Sequence, residues 1–368
     1  MKKKVITVIS VLLAAALAAT ACSTEKSGEG LSLQAEIVKA SYPVRAKQPT
    51  DEDYMNDQKA AEEAYEKVFE EKMRQRELYS GYSGELDEFF ASSIKQFLGG
   101  QEENTVCSPL NIYMALALLA ECTEGQSREQ ILKLLQNEDI ESLREQAGIL
   151  WDVSYVDNGI AKNVLANSLW LGEDLKYEEE TLKLLGENYF ASSFRGKMGS
   201  DEYNKVLRYW LNEQTGGLLK EAAGNASFDP STVLALASTI YFKSKWMDEF
   251  QESNNTEGEF NGMKGEEECI FMHSSGPDTY YFGEKFSSVT KYFTESGYMQ
   301  FILPDEGVSI PELIGDDEAM EFMLGDPYSW ENSKYLIVNL SVPKFDVSSD
   351  IDLVEGLKLM GITDVFEE

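Results

Sequence analysis

Apolar residues recur at helical spacing in four stretches of the chain. Leu86, Phe89, Phe90, Ile94 and Phe97 predict an amphipathic helix closed by Gly99-Gly100. Pro109 opens a second helix carrying Ile112, Ala115, Leu116 and Leu119, since proline in the first turn forfeits no intrahelical hydrogen bond. Leu182, Leu185 and Tyr189 mark a third, and Tyr203, Val206, Leu207 and Trp210 a fourth that stops at Gly216-Gly217. Three other stretches read as strands. The nearly continuous apolar run from Val233 to Phe242 suits a central strand covered on both faces. Tyr298 to Leu303 is a second such run, ended by Pro304, while Val338, Leu340 and Val342 alternate with polar residues as a strand buried on one side does. Helices and strands interleave without an internal repeat or a regular βαβ period, which predicts an α+β fold with helices packed on large, mostly antiparallel sheets.

The first 80 residues follow other rules. Lys2, Lys3 and Lys4 precede an apolar run from Val5 to Ala21, interrupted only by Thr7, Ser10 and Thr20. This is the pattern of an export signal, and the run is shorter than the roughly 20 residues a membrane span needs. Ala19-Thr20-Ala21-Cys22 resembles a bacterial lipoprotein signal, with Ala19 where leucine is usual, so residues 1–22 are expected to direct export and Cys22 to carry a lipid that ties the protein to a membrane. Secretion by cleavage near Ala21 is the alternative. From residue 23 to 80 the composition is polar and charged. Thr50-Asp51-Glu52-Asp53 resembles a capping box, and Ala61, Tyr65, Val68 and Lys72 form one narrow stripe, so this segment is expected to be an acidic linker or helical stalk ahead of a domain over 81–368.

Charge and chemistry narrow the function. The chain carries 32 Lys+Arg against 65 Asp+Glu, a net charge of −33, on a composition that is 43% hydrophobic. Such a surface repels phosphate backbones, and nucleic acid is excluded as the main partner. His273 is the only histidine, so a multi-histidine metal site is excluded and any catalytic triad would need that one ring. Its neighbours, Ile270-Phe271-Met272 and Ser274-Ser275-Gly276, favour a hydrogen-bonded or surface histidine near a turn. Cys107, Cys122 and Cys269 form no CxxC pair, and a helix between the first two would hold them roughly 20 Å apart, beyond the ~7 Å a disulfide tolerates. They are read as small core residues, with a bridge to Cys269 left open. GxSxG, Walker, GxGxxG and HExxH patterns are missing, and acidic runs such as Glu178–Glu180 and Glu266–Glu268 read as solvated faces. No cofactor or metal is expected, and no enzyme activity.

Several segments, in order, resemble the serpin family from about Leu86 to Phe366. Asn104, Ser108-Pro109 and Ala115-Leu116 are similar to the strand and helix that open the serpin core, and Gly125 and Ser127 fit that helix's ending, with Cys122-Thr123 where Gly-Ala is usual. Val164, Ala166-Asn167 and Leu169-Trp170 resemble the second strand of sheet A. Trp210, Thr215, Gly216 and Leu219 follow, with Leu207-Arg208 in place of Ile-Asn. Thr239, Tyr241-Phe242-Lys243 and Trp246, then Phe250, Thr256 and Phe260, look like the third strand and its continuation. Gly297 to Pro304, Val342-Pro343-Lys344-Phe345, and Leu357, Gly361, Ile362 and Phe366 complete the series.

The resemblance implies a serpin fold and an inhibitor of extracellular serine or cysteine proteases. A family member displays a reactive loop which, once cleaved, inserts into the main sheet as a new strand and drags the acylated protease with it, a conversion driven by completing the ladder of a kinetically trapped state. The protease supplies the chemistry. Ser108, Asn111, Asn167 and Ser238 would lie where sheet A parts, Asn111 replacing a usual serine and Ser238 a usual asparagine, and Trp246 would lie at the upper end of the sheet. In the family, further strands and the reactive loop follow the motif at Phe366, so the 368-residue chain is expected to be a C-terminally incomplete, inactive form with no reactive-centre bond. A non-inhibitory surface lipoprotein that binds a ligand on a serpin scaffold is the alternative.

Overall fold

The computed structural model describes residues 5–10, 35–80, 86–219, 222–262, 264–295, 297–347, 349 and 351–366. In chain order its strands are β1 (Val5–Ser10), β2 (Glu36–Val38), β3 (Val156–Asp157), β4 (Lys162–Gly172), β5 (Ala191–Gly196), β6 (Thr232–Lys243), β7 (Thr256–Gly262), β8 (Gly265–Phe282), β9 (Phe286–Tyr292), β10 (Tyr298–Pro304) and β11 (Ser333–Pro343). The helices are α1 (Asp51–Asn56), α2 (Gln58–Tyr79), α3 (Asp87–Leu98), α4 (Pro109–Glu121), α5 (Gln126–Leu134), α6 (Ile140–Ser154), α7 (Glu179–Asn188), α8 (Asp201–Gln214), α9 (Ile310–Gly315), α10 (Asp317–Leu324) and α11 (Leu353–Leu359). They fall into two units, one holding Ser108–Lys243 with the chain up to Phe89 and from Ser349, the other Phe90–Cys107 and Ser244–Ser348.

The first unit is built on a sheet with strand order β1-β6-β4-β5-β2, β3 pairing with β4. β4 and β6 run antiparallel from Lys162 opposite Lys243 to Leu171 opposite Leu234, whereas β5 lies parallel to β4 and β1 parallel to β6. Both faces of the central strands are covered, which explains their uninterrupted apolar character. On one face lies α4, capped by Ser108 and buried along Asn111–Ala120; a helix apolar all round belongs inside a core. On the other, Trp170 of β4 stacks on Phe194 at 4.2 Å and meets Tyr203 and Trp210 of α8 edge-on.

Residues 35–79, expected as a stalk, lie in this unit. The Thr50–Asp53 capping box forms as read, but Asp57 ends α1 and caps α2 in its turn. α2 packs along α6 with Ala61 and Val68 buried, while Tyr65 and Lys72 stay exposed, so the inward face is narrower than the predicted stripe. At the other end of the chain, the Gln130 side chain accepts from the backbone N–H groups of Thr363 and Asp364 at 2.9 and 3.1 Å and fixes the turn after α11.

The second unit holds a sheet of order β10-β9-β8-β11, with β7 on β8 and antiparallel pairing throughout. Tyr281, Phe286, Leu313, Ala319 and Phe322 form its apolar cluster against α9 and α10. β8 carries Glu266–Glu268 on an exposed hairpin, consistent with a solvated face. The border strands leave Leu303 of β10 and Tyr335 and Ile337 of β11 exposed. Among the described residues, no helix is long and apolar enough to cross a membrane.

Candidate functional site

The middle of the first sheet is polar where its surroundings are not. Asn167 of β4 stands opposite Ser238 of β6 and beside Ala191 of β5, and Asn111 of α4 is as fully buried as both. The Asn167 Nδ2 donates to the Tyr189 carbonyl at 2.9 Å. Next to it, the Ser168 hydroxyl accepts from Trp170 Nε1 at 2.8 Å and donates to the Ala237 carbonyl at 3.3 Å. Ser108 sits at the start of α4, its Oγ accepting from the Asn111 N–H at 3.2 Å. The four residues expected at the parting of the sheet therefore all lie in one unit, on α4 and the two central strands.

This place carries unmet hydrogen bonding, as do Ser288, Thr290 and Gln300 in the sheet of the second unit. Among the described residues, neither amide atom of Asn111 has a partner, nor do Asn167 Oδ1 and the hydroxyls of Ser238, Thr239 and Ser193. Buried polar groups are normally paired, and each orphan costs about 1–3 kcal/mol. Ser193 is not singled out by the sequence, and Thr239 only as part of the third-strand motif. The available signal was two adjacent polar residues inside an apolar run, Asn167-Ser168 and Ser238-Thr239.

A second polar chain braces this cluster. The Tyr189 hydroxyl donates to Glu121 Oε1 at 2.9 Å, and Arg144 holds both oxygens of the same carboxylate at 2.8 and 3.1 Å. Burial and the Glu121 charge push the Tyr189 phenol far above its usual range, so it stays a donor, and the bond to Glu121 raises the Arg144 guanidinium further. α6, α4 and the residue after α7 are thereby tied to Asn167.

Other expected positions lie elsewhere. Trp246 belongs to the second unit, where it bridges to Phe293, stacks on that ring at 4.7 Å and meets Phe250 edge-on. Cys22 falls outside the described residues. Cys107, Cys122 and Cys269 are free thiols on partly exposed residues, the thiol groups of Cys107 and Cys122 being themselves desolvated by burial. His273 is half-buried between hydroxyls, its Nε2 2.8 Å from Thr256 Oγ1 and its Nδ1 2.9 Å from Ser341 Oγ. No acid is placed against that ring by these bonds, and among the described residues no cluster of three His, Cys, Asp or Glu side chains could hold a metal.

Residues 85–368 fit the family described as "Serpin (serine protease inhibitor)". The chain belongs to the serpin family. Serpin-ZX of Arabidopsis thaliana is 26% identical over 277 residues, 72% of this chain and 70% of that protein, and neuroserpin of Rattus norvegicus 28% identical over 285, 73% and 67%. The crystal structure of tengpin, a thermophilic serpin, in its native state superposes with a TM-score of 0.69 at 24% identity, over 77% of this chain and 72% of that one. The serpin architecture expected from the motifs is thus the fold of the chain.

Proposed function

We propose that this serpin inhibits extracellular serine or cysteine proteases by conformational trapping, with β6 as the strand beside which the insert pairs. The orphaned groups on Asn111, Asn167, Ser238 and Thr239 carry this reading, because a strand pair that must slide and re-pair is served by small groups able to exchange hydrogen bonds without a large packing loss. The outer edge of β6 also already accepts a strand: β1 pairs with it from Thr232 to Ser238, while Leu234 to Lys243 pair with β4 on the other side.

We further propose that residues 1–22 act in export and that Cys22 anchors the protein to a membrane. Removal of the segment before Cys22 would take β1, and its pairing with β6, away with it. The chain after β11 folds into α11 and the docked turn at Asp364–Phe366.

The test is to incubate the protein expressed from its full coding sequence with a panel of serine and cysteine proteases and to separate the products by denaturing electrophoresis. Trapping gives a stable higher-mass band containing both proteins. Cleavage with no such band, by every protease in the panel, rejects it.

A further inference from the structure

A strand at the border of a sheet offers a row of backbone groups that a strand from another molecule can occupy. Here β2 covers the border of β5. Arg195 N–H donates to the Ala35 carbonyl at 2.8 Å, Ala40 N–H donates to Ser192 Oγ at 3.0 Å, and Glu36 and Val38 stand opposite Phe194 and Ser193. Three residues of strand are too few to hold that position unaided. The hold is downstream. The Tyr42 ring lies 5.4 Å from Trp151 and 5.7 Å from Tyr155. Arg45, its side chain 5% exposed, pairs with Glu71 of α2 at 2.9 Å and with Asp152 of α6 at 2.8 Å, over the Tyr155 ring. Arg74 of α2 takes the other Asp152 oxygen at 2.8 Å, and Ala46 N–H donates to Glu71 at 3.1 Å. The strap, α2 and α6 thus meet at one buried cation, which is tolerated only while both carboxylates stay in place.

We propose that residues 35–45 are an edge guard locked by Arg45, and that unlocking it exposes β5 to pairing with β5 of a second copy of this chain. β5 suits such pairing, since Ala191–Phe194 are buried, uncharged and compatible with an extended backbone.

In the full chain, Arg45→Met should speed hydrogen exchange at the amides of 193–195 by about tenfold or more while β4 and β6 keep their protection. The variant should also self-associate with rising concentration beyond the parent, by sedimentation velocity, and a synthetic peptide of residues 35–45 should return it to the parent's behaviour. Ala40→Pro, which deletes the N–H bonded to Ser192 without disturbing the buried cation, should reproduce both effects and decides the matter if Arg45→Met does not fold. Unchanged protection of 193–195 in the folded variants overturns the proposal. So do exposed β5 amides without association, or association that protects β10 or β11 and not β5.

Discussion

Asn167 and Ser238 face each other across the ladder between β4 and β6, both fully buried, yet among the described residues only the Asn167 side chain has a hydrogen-bond partner. The asymmetry gives two substitutions opposite signs. Asn167→Ala strands the Tyr189 carbonyl and should lower stability by about 1–3 kcal/mol, whereas Ser238→Ala removes an orphaned hydroxyl and should raise it by up to about 1 kcal/mol. Urea unfolding reads both. Destabilisation by Ser238→Ala would show that its hydroxyl is satisfied in solution and would weaken the case for a site held ready to re-pair.

The clasp at Asp152 predicts a pH dependence. Burial pushes its carboxyl up, but hydrogen bonds from Arg74 and Arg45 outweigh burial and hold it below its ordinary value of 3.8. The unfolded chain therefore takes up the proton first as pH falls. The stability contributed by the charged group is complete above the ordinary carboxylate range and is lost as pH drops through the lower folded value. Asp152→Asn should be less stable than the parent at neutral pH, and the gap in thermal midpoint should close between about pH 5 and pH 2. A gap independent of pH would place the carboxylate outside the clasp.

Burial pushes the thiol of Cys122 up to about 12, with the Glu121 charge adding to it, and that of Cys107 up to about 11. The reactive thiolate is then scarce at pH 8. Both thiols should resist a disulfide reagent in the native protein and react promptly in urea, followed by the released chromophore and by mapping the labelled peptides. Rapid native labelling of Cys122 would mean that the end of α4 opens readily.

Much of this fold was legible because the burial is strong. Pro109–Glu121 is apolar on every side, and Val233–Phe242 has no polar break before Ser238, so neither could be a surface element. The docking of residues 35–79 was not legible, because it depends on Arg45 meeting Glu71 and Asp152 across 26 and 107 residues and on Tyr42 finding Trp151, pairings that no local period encodes. β8 was hidden for a related reason: its start, Glu266–Glu268, reads as a solvated run, and only pairing with β7 makes it a strand. At the site, motif order placed Ser108, Asn111, Asn167 and Ser238 in one neighbourhood. The brace from Arg144 through Glu121 and Tyr189 joins α6, α4 and the residue after α7, and it emerges only once those elements are packed.

The outer edge of β6 is the centre of the functional account, and strand acceptance there is directly measurable. Hydrogen exchange should be followed in the chain beginning at Cys22, with and without a synthetic peptide as long as β6 that alternates threonine and alanine. Without peptide, amides of 232–238 should exchange faster than in the 368-residue chain, where β1 covers them. With peptide, protection across 232–243 should rise by about tenfold or more while the second unit is unchanged. If the edge gains no protection at saturating peptide in a chain whose β4 amides remain protected, β6 does not accept a strand and the trapping account is wrong.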